Sequence, residues 1–171
     1  MILPIVAYGH PTLKKVAEDI ESDYPELDVL IDNMFETMYA SSGVGLAAPQ
    51  INRSIRLFVV DASPFEDEIK DDIELKRVFI NPYIIDEWGD EWIFNEGCLS
   101  VPNIREDISR KPNIKLEYMD MDFNVVEEDF DGILARVIQH EYDHIEGHIF
   151  VDKVPQIRKM LLKRKLLDIS K

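Results

Sequence analysis

Apolar residues recur at spacings of three and four in several parts of the chain. Over residues 25 to about 41 this spacing predicts an amphipathic helix with Pro25 at its start. Over residues 132–147 it predicts a second helix that is bracketed by two glycines. After Pro155 it predicts a C-terminal helix whose other face is Lys and Arg. Residues 10–20 predict only a short amphipathic helix or turn.

Runs rich in apolar and β-branched residues predict strands. The predicted strands are residues 55–60, 77–85, 113–119 and 124–130, the last two joined by a hairpin connection at 120–123. Pro82 places part of the second strand at an edge or a bulge, because proline cannot donate a ladder hydrogen bond. The acidic residues 61–72 predict an exposed loop, and residues 86–92 predict a turn.

Length and composition are those of an ordinary globular protein. The chain has 171 residues, of which 46% are hydrophobic, and this length predicts a single domain. One cysteine allows no intramolecular disulfide, and the first residues show neither a signal peptide nor a membrane span. We therefore expect a cytoplasmic protein that does not contact a membrane.

The charge is strongly asymmetric along the chain. The net charge is −15, yet residues 153–171 carry seven basic residues and one acidic residue. The acidic body argues against direct DNA binding, whereas the basic tail could make a local contact with a polyanion. A solvated helix face would explain the tail equally well.

The sequence His140-Glu141-Tyr142-Asp143-His144 lies on the second predicted helix. Residues four apart share one helix face, so His140 and His144 can converge on one metal ion. Glu141 lies beside that face and can serve as a general base for a water molecule. Chance occurrence on a buried helix, with both histidines bonded to backbone carbonyls, is the alternative for the motif alone.

A third metal ligand has two possible sources. One zinc-protease pattern needs a histidine ten residues after His140, but Phe150 stands there. Another needs a glutamate on a later helix, but the only glutamate after His144 is Glu146, which is too close to His144 to reach the same metal. The sole cysteine, Cys98, lies upstream in a segment bounded by glycine and ending in proline, which we expect to be a loop. A His2Cys set would leave one position open, as catalytic sites do. A lone cysteine is otherwise a small buried hydrophobe.

The segment Gly43-Val44-Gly45-Leu46-Ala47-Ala48-Pro49-Gln50 allows a close approach of backbone to a ligand. It is not a dinucleotide-binding loop, because the third glycine is missing and a helix precedes it. Taken alone, it could also be an ordinary connection between a helix and a strand.

Three segments together resemble the signature motifs of bacterial peptide deformylases. They are the Gly43 to Gln50 segment, Glu96-Gly97-Cys98-Leu99-Ser100 and Gln139-His140-Glu141-Tyr142-Asp143-His144, in this order. The similarity extends from the N-terminal Leu3-Pro4-Ile5 to the C-terminal helix. The resemblance implies an α+β fold, with antiparallel β-sheets packed around the central helix and a C-terminal helix as in Gram-negative members. It also implies removal of the formyl group from the N-terminal formylmethionine of nascent chains.

The resemblance further implies roles for individual residues. Cys98, His140 and His144 would bind one divalent metal, usually Fe2+, with Zn2+, Ni2+ or Co2+ able to replace it. Glu141 would be the general base, while Gln50 and the backbone N–H of Leu99 would stabilise charge on the formyl oxygen. Residues implied in substrate binding are Val44, Gly45, Phe94, Arg105, Ile133 and Val137. Arg136 stands where some members have an apolar residue.

The resemblance also implies partners. Formyl-Met nascent peptides are the implied substrates, and the basic C-terminal helix resembles the element by which some members dock on the ribosome. Two alternatives to a deformylase are a zincin-like endopeptidase and a metal-stabilised binding module without catalytic activity. The missing downstream ligand disfavours the endopeptidase, and the module would need a fourth protein ligand, for which neither His10 nor His148 has a useful spacing.

Overall fold

The computed structural model describes residues 1–69 and 72–170, which form three α-helices and two antiparallel β-sheets. The helices are α1 (Leu27–Ala40), α2 (Gly132–Ile145) and α3 (Gln156–Ile169). The strands are β1 (Gly45–Ala47), β2 (Leu57–Asp61), β3 (Lys76–Trp88), β4 (Trp92–Cys98), β5 (Val101–Arg110), β6 (Asn113–Met119) and β7 (Val125–Asp131). No helix within these described ranges has the length and apolar character needed to cross a bilayer.

The larger sheet separates two halves of the core. Its strand order is β1-β2-β3-β6-β7, and every neighbouring pair is antiparallel. Strand β2 is apolar on both faces because alternate side chains point in opposite directions. Phe58 and Val60 pack with Leu134 of α2, whereas Leu57 and Val59 pack with the apolar face of α1. Helix α2 is thereby buried against the middle of the molecule, as the α+β prediction expects.

Most predicted elements are confirmed with small shifts of their ends. The hairpin of β6 and β7 pairs Asn113 with Asp131 and Met119 with Val125, as predicted. The predicted bulge is also present, because the β3–β6 register shifts between Ile80 and Tyr83, on either side of the proline. The first predicted turn is shorter, since the chain forms a 3-10 helix only over Pro11–Lys14.

Two predictions for the middle of the chain are only partly confirmed. The turn expected over residues 86–92 is confined to three residues, because β3 continues to Trp88 and β4 begins at Trp92. The segment around Cys98 is not a loop but the end of β4, which pairs with β5 to form the second, two-stranded sheet. The hydrophobic pattern did not predict strand β5, because the buried positions of this strand include Glu106 and Arg110.

The C-terminal helix buries less apolar surface than expected. Only Leu162 of α3 is buried, while Ile157, Met160, Leu161 and Leu167 are exposed. The predicted acidic loop contains a short 3-10 helix at Ser63–Phe65, and residues 70 and 71 of that loop lie outside the described residues, as does residue 171.

Candidate active site

Helix α2 and the end of β4 bring three candidate metal ligands together. One ligand atom from each of Cys98, His140 and His144 lies within 4.8 Å of the others. The two imidazoles occupy one face of α2 because their residues are four apart. The Sγ of Cys98 lies 3.3 Å from Nε2 of His144. Both histidines are buried and the cysteine is half-buried, so the cluster lies at the bottom of an accessible site.

Glu96 fixes the orientation of one imidazole. Its Oε1 lies 3.0 Å from Nδ1 of His140, and since a carboxylate only accepts, Nδ1 donates. Arg110 donates to both carboxylate oxygens of Glu96 at 2.8 and 2.9 Å. Burial by itself would raise the pKa of Glu96, but the hydrogen bonds from His140 and Arg110 hold it well below its usual value. The ionised carboxylate therefore leaves Nε2 of His140 free to bind a metal.

The second imidazole is kept neutral by its surroundings. Burial lowers the pKa of His144 well below its usual value, and the nearby His140 and Arg110 lower it further. Its Nδ1 is buried and has no hydrogen-bond partner among the described residues. A neutral imidazole has the free lone pair that a metal ligand needs.

Glu141 is buried next to Gly45, the first residue of β1. A Cβ atom added to Gly45 would lie 2.8 Å from the carboxyl group of Glu141. The Oε1 of Glu141 is buried without a partner among the described residues, and its Oε2 lies 3.9 Å from Nε2 of His140. Burial raises the pKa of Glu141 to about 7. A carboxyl group of this kind can accept and return a proton near neutral pH.

The side-chain amide of Gln50 has a fixed direction. Its Oε1 accepts the backbone N–H of Ala47 at 2.9 Å, so its Nε2 must point the other way. That Nε2 donates to Oγ of Ser100 at 3.2 Å and to Sγ of Cys98 at 3.4 Å. Leu99 lies in the two-residue turn between β4 and β5, so both predicted donors for a formyl oxygen flank the cysteine.

A cavity of about 510 Å³ opens beside these residues. The predicted substrate-binding residues that line it are Val44, Gly45, Phe94, Arg105 and Val137. Ile133, at the start of α2, is not among the lining residues and packs against the core instead.

Phe65 and Arg136 are among the cavity residues that were given no role from the sequence. Phe65 lines the cavity and contacts Phe94 edge to face, with ring centroids 6.2 Å apart. It lies on the segment that the acidic composition predicted to be an exposed loop, so no signal in the sequence placed it here. Arg136 also lines the cavity, although its side chain is buried.

Arg105 is held at the rim by Asn95 of the neighbouring strand β4. Its Nε donates to the side chain of Asn95 at 2.8 Å and its Nη2 donates to the Asn95 carbonyl at 2.9 Å. Its guanidinium lies across Gly97, where an added Cβ would approach Nη1 to 2.5 Å. The glycine thus lets the arginine lie flat on β4 beside the cavity.

The donor set fits a divalent transition metal. A thiolate and two imidazoles are ligands that both iron and zinc accept, and three protein ligands leave a position open for substrate or water. The unpartnered Oε1 of Glu141 faces no competing protein donor in the described parts of the chain. The chemistry of the site is therefore that of a metal-assisted hydrolase.

Comparisons with known proteins identify relatives over the full length of the chain. A family model for polypeptide deformylases matches residues 2–160. The peptide deformylase of Christiangramia forsetii is 53% identical over 178 residues, which cover 100% of this chain and 91% of that protein. A crystal structure of a peptide deformylase from Legionella pneumophila superposes with a TM-score of 0.84 at 36% identity, covering 98% of this chain and 95% of that one. A crystal structure of the peptide deformylase of Plasmodium falciparum superposes with a TM-score of 0.86 at 34% identity, covering 96% of this chain and 94% of that one.

Proposed function

This chain belongs to the polypeptide deformylase family, and we propose that Cys98, His140 and His144 bind its metal while Glu141 is its general base. The enzyme removes the N-formyl group from nascent polypeptides that begin with formylmethionine. Family membership decides against the endopeptidase and the binding module. The observation that supports the ligand assignment best is the convergence of three donor atoms within 4.8 Å.

The family uses a single divalent metal. When bound, such an ion polarises the formyl carbonyl and makes water a stronger acid. Glu96 contributes by holding the Nδ1 proton of His140, so that Nε2 is the nitrogen that would bind the metal. His144 contributes as a buried, neutral imidazole.

Glu141 moves the proton in this proposal. Its carboxylate accepts a proton from the water that attacks the formyl carbon, and it returns that proton to the amide nitrogen as the C–N bond breaks. The products are formate and a free amine. Support comes from its burial, its pKa near neutrality and its unpartnered Oε1. The flanking Gly45 leaves the room that this side chain occupies.

Gln50 and the backbone N–H of Leu99 stabilise the negative charge that develops on the formyl oxygen. The amide of Gln50 is held in place before substrate arrives, because Ala47 fixes its oxygen. Such preorganised donors do not have to reorient during the reaction. Losing one of them costs on the order of 3 kcal/mol of transition-state stabilisation.

The substrate peptide binds along the free edge of β1 in this proposal. Strand β1 is the edge strand of the larger sheet, and on its other side the Val44 carbonyl accepts the N–H of Asp61 at 2.9 Å. An extended peptide can add to such an edge as a further strand. The methionine side chain then lies against Val44, Phe94 and Val137, and Arg105 lies near the peptide beyond it. Ile133 precedes Val137 by four residues on α2 and is proposed to support this pocket from behind, since it packs against the core cluster that contains Val137.

We propose Fe2+ as the metal in the cell, because it is the usual metal of the family that the motifs resemble. The site itself suits Zn2+, Ni2+ and Co2+ as well. Purified protein stripped of metal and reconstituted without oxygen, with Fe2+ and separately with Zn2+, tests reaction and metal together. Formate release from a formyl-Met peptide is expected with Fe2+. No release with either ion would refute the assignment.

Helix α3 is the proposed contact with the ribosome. Arg158 donates hydrogen bonds of 2.7 and 2.8 Å to Glu106 of β5, and these bonds hold the start of α3 on the β4–β5 hairpin. The rest of the helix exposes four basic side chains and most of its apolar ones: Lys159, Lys163, Arg164, Lys165, Ile157, Met160, Leu161 and Leu167. A basic element on an acidic body favours a local contact with ribosomal RNA. We propose that the enzyme is cytoplasmic, where it would meet ribosomes and nascent chains. We also propose that the whole chain forms one catalytic domain.

A further inference from the structure

The largest fully buried side chain among the described residues is charged. Arg136 is 1% exposed, and its guanidinium donates in three directions. Its Nη1 lies 2.9 Å from Oε2 of Glu96 and 2.9 Å from the carbonyl of Ile108, and its Nη2 lies 2.5 Å from the carbonyl of Trp92. Glu96 and Trp92 belong to β4, whereas Ile108 belongs to β5. One guanidinium therefore joins α2 to both strands of the hairpin that carries Cys98.

Arg136 shares a carboxylate with a proposed metal ligand. Arg136 and His140 are four residues apart on α2, so they lie on one helix face. Arg136 bonds Oε2 of Glu96 and His140 bonds Oε1 of the same group. Two successive turns of α2 thus hold both oxygens of a carboxylate that comes from the hairpin. Arg110 completes the set from β5, which leaves the carboxylate of Glu96 little freedom to rotate.

The same guanidinium also supports the cavity wall. Its Cζ lies 4.8 Å from the ring centroid of Trp92 and 5.9 Å from that of Phe94. These two rings contact each other with centroids 5.6 Å apart. Arg136 and Phe94 both line the cavity. The position of Phe94 is therefore tied to the group that holds Glu96.

We propose that Arg136 is a positioning residue that sets two things at once: the orientation of His140 through Glu96, and the wall of the methionine pocket at Phe94. This inference rests on the proposed function, since it assumes that His140 binds the metal and that Phe94 contacts the substrate. Side chains of other types cannot do the same. Lysine has one nitrogen and no flat face to stack on the rings. Methionine would leave the carbonyls of Trp92 and Ile108 buried without this donor.

Arg56 provides a matched control. It is also a buried arginine, 2% exposed, whose Nη2 donates to the carbonyl of Pro82 at 2.8 Å and to Glu146 at 3.2 Å. Its Cζ lies 4.0 Å from the ring centroid of Tyr83. It thus pairs with a carbonyl, a carboxylate and a ring as Arg136 does, but it neither contacts Glu96 nor lines the cavity.

The experiment compares the full-length wild-type protein with Arg136→Met, Arg136→Lys and Arg56→Met. The first readout is the dissociation constant for Co2+, from titration of the metal-free protein followed by the absorption of the thiolate–cobalt bond. The second is the ratio of kcat/KM for a formyl-Met peptide to that for a formyl-Ala peptide, with each protein saturated with Co2+. Thermal unfolding of each protein gives its stability.

Arg136→Met is expected to raise the dissociation constant for Co2+ about tenfold, the size of effect that outer-shell changes have on metal sites. It is also expected to lower the Met/Ala ratio about tenfold, as the loss of roughly one methylene of pocket contact does. Arg136→Lys should recover part of the Co2+ affinity because it keeps the charge beside Glu96. Arg56→Met should lower the unfolding temperature and leave both readouts at wild-type values.

If Arg136→Met kept the wild-type Co2+ dissociation constant and the wild-type Met/Ala ratio, or changed only one of them, the proposal that Arg136 sets both His140 and the pocket wall would be overturned. So would equal changes in Arg56→Met, because the effect would then follow from lost stability alone. A wild-type protein that shows no thiolate–cobalt absorption and no deformylation would instead refute the proposed ligand set and function. The two failures are therefore distinguishable.

Discussion

Gly45 and Glu141 lie so close together that the glycine cannot be replaced without moving the carboxylate. A Cβ at position 45 would meet the Cγ, Cδ and Oε2 atoms of Glu141, each at 2.8 Å. Neither partner can retreat easily, because Glu141 is 3% exposed and β1 is paired with β2. The first residue of the proposed substrate-binding strand thus determines where the proposed base is placed.

Gly45→Ala should therefore lower kcat about 100-fold, the effect of displacing a reacting group by roughly 1 Å. Gly43→Ala is the comparison, since its Cβ would meet the end of the flexible Leu99 side chain at 2.9 Å and cause a smaller loss. Steady-state kinetics on a formyl-Met peptide measure both variants. Equal losses in the two would show that the contact with Glu141 is not what matters.

Glu141→Gln should keep the metal and lose deformylation. The amide has nearly the same shape as the carboxyl group but cannot accept the proton from water, and general-base catalysis contributes about 10² to 10⁴ in rate. Metal analysis of the dialysed protein and formate release measure the two effects separately. Turnover within a few-fold of the wild type would remove Glu141 from its proposed role.

Cys98→Ser should weaken metal binding, because an un-ionised hydroxyl is a much poorer ligand than a thiolate for these ions. The chain has no other cysteine, so the thiolate–cobalt absorption should disappear completely in this variant. Metal content after dialysis is the direct measurement. A content equal to that of the wild type would exclude Cys98 from the ligand set.

Glu96→Gln should raise the dissociation constant for Co2+ by about 10- to 100-fold, since His140 loses its carboxylate partner. Glu106→Gln is the matched control on the same hairpin. Glu106 is paired with Glu96 across β4 and β5 and is also buried, but it binds Arg158 of α3 and not His140. If both variants lose Co2+ affinity equally, the effect comes from the hairpin as a whole.

Removal of residues 156–171 should abolish co-sedimentation with ribosomes if α3 makes the proposed contact. Replacing Lys163, Arg164 and Lys165 by glutamate tests charge without shortening the chain, since all three are exposed. Binding of wild-type protein should also weaken as salt concentration rises. Co-sedimentation that is unchanged by both alterations would leave α3 as a packing element only.

The sequence predicts those parts of this molecule in which hydrophobic periodicity and burial agree. Helix α2 and the β6–β7 hairpin are of this kind, because one face of each is apolar and meets the core. Strand β5 could not be found in this way. It alternates correctly, but the residues on its buried face include Glu106 and Arg110, which are buried because they are paired. Only a partner distant in sequence makes such a strand stable.

The same distinction applies to the candidate site. His140, Glu141 and His144 follow from helix geometry, Cys98 was a candidate third ligand as the sole cysteine, and the family resemblance supported Cys98 and added Gln50. Glu96 was quoted only as part of a motif, although residues two apart on a strand share a face, which places it beside Cys98. The cavity contributions of Phe65 and Arg136 depend on tertiary contacts that no local pattern records.

The proposed ligands come from two different parts of the fold, so a site with all three of them exists only where those parts are docked together. His140 and His144 are in place as soon as α2 forms, but Cys98 arrives only when its hairpin docks on that helix. A fully coordinated ion would then brace hairpin and helix against separation, so a loaded molecule resists unfolding in proportion to how tightly it holds its ion.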